Sequence, residues 1–443
     1  MTHWQLRCGS AVMIAIVASA CAERSTMPES ATIGPTPTLV EPRTSLIPTI
    51  AVVTAVGWNE DERPVAATGL QVTPFARLEH PRWLHVLPNG DVLVAETNAP
   101  ERPKDDDGVR GKLFKRFQAK AGGAVPSPNR LSLLRDADGD GVAEGHTAFL
   151  TNLNAPFGMA LIGAVLYVAN TDAVVKVPYE TGQTVVDVSP TRVLGLPAGE
   201  RNHHWTKNII ATPDGERLYI AIGSNSNVAE HGLAEEEGRA EVWELDPATG
   251  AHRVFATGLR NPVGMAIEPI TGTLWVAVNE RDELGPDLVP DYMTAVKDGG
   301  FYGWPFSYFG ANVDERVEPP RPDLVSRAIV PDYALGAHTA SLGLANATGN
   351  ALGQAFQQGM FVGQHGSWNR EPRSGYKVIF VPFANGRPSG MPVDVLTGFV
   401  RDNGDAMGRP VGVAVDGRGG LLVADDVGNT VWRVSAIGAT TSR

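Results

Sequence analysis

Six stretches of the chain share one pattern of apolar and polar positions. In each, an apolar segment of strand length leads through a turn, often Asn-Gly or Asp-Gly, into a second apolar segment that ends in Ala or Gly and a polar residue. Such turns between alternating strands are typical of antiparallel hairpins. The stretches begin at Trp83, Pro156, Lys207, Pro262, Ala340 and Pro410.

The regular recurrence of these hairpins indicates the fold. The six starts lie about 65 residues apart on average, and no helical periodicity separates them. A long repeat of short strands is typical of a β-propeller, in which each repeat is one blade. The sequence therefore predicts an all-β fold, a six-bladed β-propeller, over residues 61–438.

The ends of the second strands are the expected place for a site. "VLVAETN", "LYIAIGSNSN" and "LLVADD" pass from apolar to polar residues, and the other three repeats do the same. In a propeller these ends, and the loops that enter the first strands, converge on one face. Strands also become polar wherever they reach solvent, so the pattern alone gives a site only modest support.

Residues 1–20 resemble an export signal. Arg7 precedes the apolar stretch Ala11–Ala18, which is too short to span a bilayer, and small residues lead to Cys21. These features predict a bacterial lipoprotein signal, lipid on Cys21, and an exported protein anchored in a membrane that faces the periplasm or the cell exterior. The alternative is an ordinary signal peptide in which Cys21 has no role.

The following segment and the composition set further limits. Residues 21–60 are rich in Ser, Thr, Ala and Pro, which predicts a flexible linker. The formal net charge of −12 disfavours a nucleic-acid partner and electrostatic binding to anionic lipid. Cys8 and Cys21 are the only cysteines, so no disulfide is expected in the propeller.

Two adjacent histidines precede the third repeat. The sequence contains no GxGxxG, P-loop, HExxH, CxxC or GxSxG motif, which removes the common nucleotide, zinc-protease and esterase sites. His203 and His204 stand just before a strand, where an imidazole is able to act as a general base near neutral pH. Two solvated loop histidines are the alternative.

Arginines and carboxylates mark three other repeats. A guanidinium at Arg260, beside Asn261, or at Arg409 suits carboxylate or quinone oxygens, or else a structural carboxylate. The stretch 278–308 has aromatic residues that either wall a planar ligand or fill the core. It also has acidic residues suited to a divalent cation, namely Glu280, Asp282, Glu283, Asp287 and Asp291. A further polar loop contains His365, Trp368, Asn369 and Arg370.

An acidic loop in the first repeat partly matches a calcium-binding loop. Asp136, Asp138 and Asp140 alternate and are followed by Gly141 and Glu144, as at positions 1, 3, 5, 6 and 9 of such a loop. Position 12 is a threonine, so the bidentate carboxylate is missing. The loop is therefore either a weak Ca²⁺ site or an ordinary Asp-Gly turn.

Taken together, these stretches resemble the PQQ-dependent sugar dehydrogenases, in particular the sorbosone dehydrogenase-like branch of the glucose/sorbosone dehydrogenase family. The resemblance runs from about Phe75 to Val434 and is most specific in "RNPVGMAIEPITGTLWVAVNERDELG", "GQHGSWNREPRSGYK" and "GRPVGVAVDGRGGLLVADD". It implies a six-bladed propeller. It also implies a PQQ- and Ca²⁺-containing enzyme that oxidises the C1 hydroxyl of an aldose or related hydrated aldehyde. The predicted membrane anchor, and not the resemblance, suggests a quinone or cytochrome as electron acceptor.

The resemblance further implies residue roles. His204 matches the base that takes the C1 hydroxyl proton while hydride passes to PQQ. Arg260 would bind the quinone oxygen, and Ca²⁺ would lie near Arg281 and Asp282. The other implied cofactor contacts are Asn261, His365, Trp368, Arg370 and Arg409.

The chain departs from the better-known glucose-oxidising members in two places. It has no match to the glutamine that they use against PQQ near the second repeat, where "NAPFGMA" stands. Those members have an Asp after "IG" that orients the base, whereas Ser224 stands here and Glu230 is the expected substitute. Two other functions therefore stay open. One is a propeller that binds carbohydrate or protein without catalysis. The other is a Ca²⁺-dependent lactonase-type hydrolase, whose metal ligands would be Glu96, Asn170, Asn225 and Asn279.

Overall fold

The structure is a computed structural model that describes residues 23–44, 49–104 and 108–438. Residues 1–20 and Cys21, predicted as signal and lipidation site, lie outside this range. Within it, six sheets, each built on four antiparallel strands, form the blades of a propeller, and three of them carry additional edge strands. No helix in the described part of the chain is long and apolar enough to cross a membrane.

Blades 1 to 3 each use four consecutive strands. Blade 1 contains Pro81–Val86, Val92–Glu96, Arg130–Arg135 and Gly145–Leu150. Blade 2 contains Met159–Ile162, Val165–Ala169, Ala173–Pro178 and Thr191–Gly195. Blade 3 contains Lys207–Ala211, Leu218–Ile222, Glu241–Leu245 and His252–Thr257, with Gly300–Phe301 at its outer edge.

Blades 4 to 6 recruit strands from elsewhere in the chain. Blade 4 contains Pro262–Ile267, Leu274–Val278, Pro290–Ala295 and Tyr333–Ala337, followed by Ile33–Gly34. Blade 5 contains Ser341–Asn346, Gly359–Gln364, Lys377–Ala384 and Val393–Thr397, with Val65–Ala66 and Arg387–Pro388 added. Blade 6 contains Pro410–Val415, Leu421–Asp425, Thr430–Ala436 and Leu70–Arg77.

The remaining elements are short, apart from one helix in blade 1. This helix, α1 (Gly108–Lys120), lies between the second and third strands of blade 1, and α2 is Pro322–Val325. Three 3₁₀-helices span Glu29–Thr32, Leu233–Glu236 and Gln354–Phe356. Two small ladders pair Thr54–Ala55 with Asp405–Ala406 and Ser307–Tyr308 with Asn312–Val313.

The ring closes because the ends of the propeller share one sheet. The strand Leu70–Arg77 pairs with Thr430–Ala436, so that Val72 lies opposite Val434. The first strand of each blade contacts the first strand of the next, and the sixth contacts the first. The six-bladed propeller predicted from the hairpin repeat is therefore confirmed.

Three first strands contain or directly follow a Gly-apolar-Ala step, which begins at Gly158, Gly264 or Gly412, and crowding between neighbouring first strands explains its glycine. A Cβ atom on Gly264 would lie 2.5 Å from the backbone nitrogen of Leu344 in the next blade. A Cβ on Gly412 would lie 2.7 Å from the carbonyl oxygen of Arg82. Only glycine permits this backbone approach, so the step marks the innermost strands.

The N-terminal segment is attached to the propeller. It is irregular, as its composition predicts, but the backbone N–H of Ala51 donates to Trp368 O at 2.7 Å. The Ser25 hydroxyl lies 2.5 Å from Asp287 Oδ1, and Trp58 Nε1 donates to Asp425 at 2.7 Å. These contacts correct the expectation of a flexible linker for its described part, because specific polar anchors outweigh a linker-like composition.

Candidate active site

One face of the propeller gathers polar side chains from several blades. We call it the site face, and it is where the first strands begin and the second strands end. The residues that stand one to three positions before a first strand are His80, His204, Arg260, His338 and Arg409. Antiparallel pairing places these beside residues that follow the second strands, such as Ser224, Asp282, His365 and Asp426.

A cavity of about 270 Å³ opens on the site face. Blades 1, 3, 5 and 6 and the end of α1 form its wall. Three arginines and a single carboxylate line it, together with four histidines, so the wall carries net positive charge. The polar lining residues are His80, Arg82, Asn98, Arg102, Gln118, His203, His204, His365, Arg409 and Asp426.

His204 lines this cavity in a defined tautomer. Its Nδ1 lies 2.9 Å from the carbonyl oxygen of Ser224. A carbonyl only accepts, so Nδ1 carries the proton and Nε2 keeps its lone pair. Burial, followed by the charge of Arg260, holds the imidazole pKa well below its usual value. The ring is therefore neutral at pH 7, and its Nε2 is able to accept a proton.

The glycine before Ser224 allows this contact. A Cβ on Gly223 would lie 2.6 Å from the Cβ of His204 and 2.4 Å from Asn261 Oδ1. Ser224 thus orients the ring through its backbone carbonyl and also through its hydroxyl oxygen, which lies 3.0 Å from Nδ1. Among the described residues, no carboxylate is hydrogen-bonded to the ring. Glu230, the expected substitute, instead accepts hydrogen bonds from the backbone N–H groups of Asn227 and Val228.

A second histidine cluster lies across the cavity. Asp426 accepts from Arg82 Nη1 at 2.5 Å and from His365 Nε2 at 3.0 Å. His80 Nε2 lies 3.8 Å from the same carboxylate. Burial, followed by Arg409, lowers the pKa of His365 to about 4. Burial alone would raise the pKa of Asp426, but the net shift is downward because His365 and Arg82 stabilise the carboxylate.

Arg409 and His365, two of the predicted cofactor contacts, both line the cavity. Arg409 Nε donates to His365 O at 2.8 Å, and its Nη2 donates to Gly366 O at 2.9 Å. Its guanidinium also lies 5.4 Å from the ring centre of Tyr376. These contacts fix the orientation of a cation in the cavity wall.

Arg260 does not line the cavity. It is 2% exposed, and its donors reach the carbonyls of Asn227, Asn279 and Glu280 and the side chain of Asn227. Its remaining neighbour is Asp282, at 3.7 Å. The predicted direct contact with a quinone oxygen is not supported by this geometry, because those bonds use its N–H groups. Arg260 acts on His204 through its charge.

Several other predicted residues are structural. Arg281 is fully buried between Glu280 and Asp314, and its guanidinium also donates to Pro305 O and Ser307 O. A cation so enclosed cannot ligate a metal. Arg370 is likewise 1% exposed and holds the N-terminal segment through Ser25. Trp368 is half-buried and accepts from that segment through its carbonyl.

Asp282 is the carboxylate nearest the predicted calcium position. Oδ1 accepts from Asn369 Nδ2 at 2.8 Å and from His338 Nδ1 at 3.2 Å. His338 Nε2 also donates to Gly285 O at 2.9 Å, which requires protons on both ring nitrogens. Burial opposes that charge, but Asp282 raises the pKa of His338 overall. The carboxylate is thus compensated by His338 and Arg260.

Comparisons with known proteins agree with this architecture. A sequence model of the family described as TrAA12-like matches residues 131–291 and 325–436, more than half of the chain. The chain belongs to this family. An uncharacterized protein of Borreliella burgdorferi is 28% identical over 241 residues, 54% of this chain and 62% of that protein.

Two named relatives extend the comparison. The pyrroloquinoline quinone-dependent pyranose dehydrogenase of Coprinopsis cinerea is 25% identical over 230 residues, 42% of this chain and 31% of that enzyme. Its holo PQQ domain superposes with a TM-score of 0.66 at 20% identity, covering 87% of this chain and all of the domain. The calcium structure of the Trichoderma reesei AA12 enzyme gives 0.67 at 17% identity over 84% of this chain and 97% of that one. This chain thus spans less than two thirds of the curated relatives, and the structures establish the fold.

Six polar residues that line the cavity were not predicted from the sequence, namely His80, Arg82, Asn98, Arg102, Gln118 and Asp426. Of these, His80 precedes a first strand just as Arg409 does. The positional signal that selected His204 and Arg409 was therefore also present at His80. Asp426 ends the "LLVADD" stretch, whose change from apolar to polar residues marks a strand end but does not single out this residue.

The acidic loop of blade 1 is separate from this cavity. Asp136, Asp138, Asp140 and Glu144 place ligand oxygens within 4.8 Å of one another. The loop joins the third and fourth strands at the end opposite the site face. A cation there would not contact the cavity.

The oxygens proposed for a lactonase metal do not form a ligand set. Glu96 is fully buried and bound by Arg130 and Ser132. Asn225 Oδ1 accepts from the His203 N–H at 3.2 Å, and Asn170 Oδ1 from the Asn154 N–H at 3.3 Å. Asn279 donates to Asp291. Because these side chains are held by internal hydrogen bonds, the structure gives no support to the lactonase-type hydrolase.

Proposed function

We propose that the chain is a PQQ-dependent dehydrogenase that oxidises the C1 hydroxyl of an aldose or a related hydrated aldehyde. One observation carries this proposal: a neutral histidine, His204, offers an unprotonated Nε2 at a cavity lined by arginines. A base beside a cationic surface is what proton removal next to an anionic quinone requires. The pyranose dehydrogenase and AA12 relatives support the same reaction class.

The cavity residues fit an anionic cofactor. PQQ is a planar quinone with three carboxylates, and Arg82, Arg102 and Arg409 lie in the wall. Two buried nitrogens there, Arg82 Nε and His80 Nε2, make no hydrogen bond to the described part of the chain. Buried polar atoms are rarely left unpaired, so these two indicate a polar ligand that pairs with them.

The mechanism follows from what these residues do. Bound PQQ would supply a quinone carbonyl carbon as hydride acceptor. His204 accepts the C1 hydroxyl proton at Nε2, while Ser224 O keeps the ring oriented through Nδ1. Arg260 and the cavity arginines favour negative charge near the reacting atoms. The end of α1, at Gln118, covers part of the cavity and limits the access of water.

Calcium fits the Asp282 position less well. Asn369 Oδ1 is buried without a partner and is the natural second oxygen. However, Arg260 and a protonated His338 already balance the carboxylate, and two adjacent cations oppose a third. We therefore derive no catalytic step through calcium. The Asp136–Glu144 loop is proposed as a weak structural Ca²⁺ site.

Export and anchoring are part of the proposal. The signal-like residues 1–20 and Cys21 support a lipoprotein, with a membrane quinone or cytochrome as electron acceptor. Replacing Cys21 with Ser should move the protein from the membrane fraction to the soluble fraction of its host. Continued membrane association of this variant would argue against the lipid anchor.

The test of function is a titration of PQQ into purified protein, with and without Ca²⁺, followed by aldoses and an artificial dye acceptor. We expect 1:1 binding and dye reduction. The matched variant Arg409→Gln should weaken PQQ binding, whereas the exposed Arg387→Gln should not. Absence of binding at micromolar PQQ would favour the second function, a binding propeller, which the replacement of the orienting Asp by Ser224 already favours.

A further inference from the structure

The carboxylate of Glu236 lies directly behind the loop that holds His204. Glu236 ends the 3₁₀-helix Leu233–Glu236 and is 8% exposed. Its Oε2 accepts the backbone N–H of Asn225 at 2.6 Å, and its Oε1 accepts from the hydroxyl of Ser226. Both oxygens are thus bound to the two residues that follow Ser224.

Hydrogen bonds link this turn to both histidines. Ser224 O accepts from His204 Nδ1 at 2.9 Å and from the His204 backbone N–H at 3.3 Å. Asn225 Oδ1 accepts from the His203 N–H at 3.2 Å. The Ser224 hydroxyl donates to Ser226 O at 2.7 Å, and its oxygen lies 3.0 Å from His204 Nδ1 as a second acceptor. A group that fixes residues 225 and 226 therefore fixes the acceptor of the His204 proton.

Neighbouring carboxylates do not share this position. Glu230 binds the N–H groups of Asn227 and Val228, further along the loop toward Arg260. Glu235 is 43% exposed at its side chain and lies 3.9 Å from Arg201. Burial, the largest influence, raises the pKa of Glu236, which is the expected consequence of its enclosed position.

We propose that Glu236 is a positioning residue for His204. It anchors the Asn225-Ser226 turn, and the turn presents Ser224 O to Nδ1, so that the neutral ring keeps its proton on Nδ1 and its lone pair on Nε2. Neutral imidazole carries its proton on either nitrogen, and this acceptor selects the tautomer that is able to act as a base. The catalytic consequence rests on the proposed function, whereas the tautomer itself does not.

The tautomer is measured directly by nitrogen NMR of protein labelled with ¹⁵N-histidine, with the His204 signals assigned by their loss in His204→Gln. The wild type should show a protonated Nδ1 and an unprotonated Nε2. Glu236→Ala should show a mixture of tautomers, whereas Glu235→Ala should match the wild type. Glu236→Gln should retain the wild-type pattern, because its amide offers one acceptor to Asn225 and one donor to Ser226.

Kinetics provide the second readout. We expect kcat of Glu236→Ala to fall about 10-fold to 100-fold, with KM for the sugar and affinity for PQQ within about twofold of the wild type. Glu236→Gln should recover most of the loss. A general structural defect would instead lower PQQ affinity and kcat together.

Three results would overturn the inference that Glu236 positions His204. A folded Glu236→Ala variant with an unchanged His204 tautomer would overturn the inference, as would an equal effect of Glu235→Ala. If Glu236→Ala does not fold, Ser226→Ala removes one of the two bonds and should shift the tautomer partially; no shift would overturn the proposal. A tautomer change in Glu236→Ala, together with a wild-type protein that binds no PQQ, would uphold this inference and contradict only the proposed function.

Discussion

Removal of the Asp426 carboxylate should destabilise the propeller strongly. Asp426 is 2% exposed and binds Arg82 at 2.5 Å and His365 at 3.0 Å. Asp426→Ala leaves the buried guanidinium of Arg82 without a counter-charge. Breaking a buried ion pair in this way costs about 3–5 kcal/mol, so we expect a loss of that size in the free energy of unfolding.

A surface ion pair supplies the matched control. Asp298 and Arg253 lie 2.6 Å apart but are 59% and 47% exposed at their side chains. Asp298→Ala should cost no more than about 1 kcal/mol, because water screens such pairs. The assay is urea unfolding of both variants at pH 7 and equal ionic strength. A loss below about 1 kcal/mol for Asp426→Ala would refute the reasoning that this carboxylate compensates a buried cation.

Three further predictions follow from particular contacts. Gly223→Ala places a Cβ 2.6 Å from that of His204, so turnover should fall at least about tenfold while circular dichroism stays native. Arg370→Met removes the donor to Ser25, so limited proteolysis should cleave the N-terminal segment sooner than in the wild type. Burial lowers the pKa of His365 in the folded protein to about 4, below the value of about 6.5 in an unfolded chain. The contribution of His365 to the free energy of unfolding is therefore present above about pH 6.5 and is lost as the pH falls toward 4, by at most about 3 kcal/mol. This loss should be absent from the unfolding curves of His365→Gln.

The sequence predicts the fold well because the propeller repeats a local pattern. Each hairpin has its own turn, and the crowding of the first strands requires glycine at Gly264 and Gly412. Because these local constraints recur along the chain, one sequence is enough to reveal the repeat. The cavity residues His204, His365 and Arg409 were predictable for the same reason, since each lies within three residues of a predicted strand.

The parts that escaped prediction depend on contacts between distant residues. Asp426 meets Arg82 across a separation of 344 residues, and no local pattern reveals such a pair. Arg260 and Arg370 look like ligand-binding arginines in the sequence, but burial and internal acceptors keep both out of direct contact with a ligand in the cavity. The orientation of His204 by Ser224 was likewise not predictable, because one of the two acceptors is a backbone carbonyl, which every residue carries.

The most direct test of the central claim compares wild-type protein and His204→Ala in PQQ binding and in aldose-driven dye reduction. The account predicts that both bind PQQ with similar affinity, since other residues form most of the cavity wall. It also predicts that only the wild type reduces the dye at an appreciable rate. Full turnover by His204→Ala would contradict the assignment of the base. Failure of the wild type to bind PQQ would contradict the dehydrogenase itself.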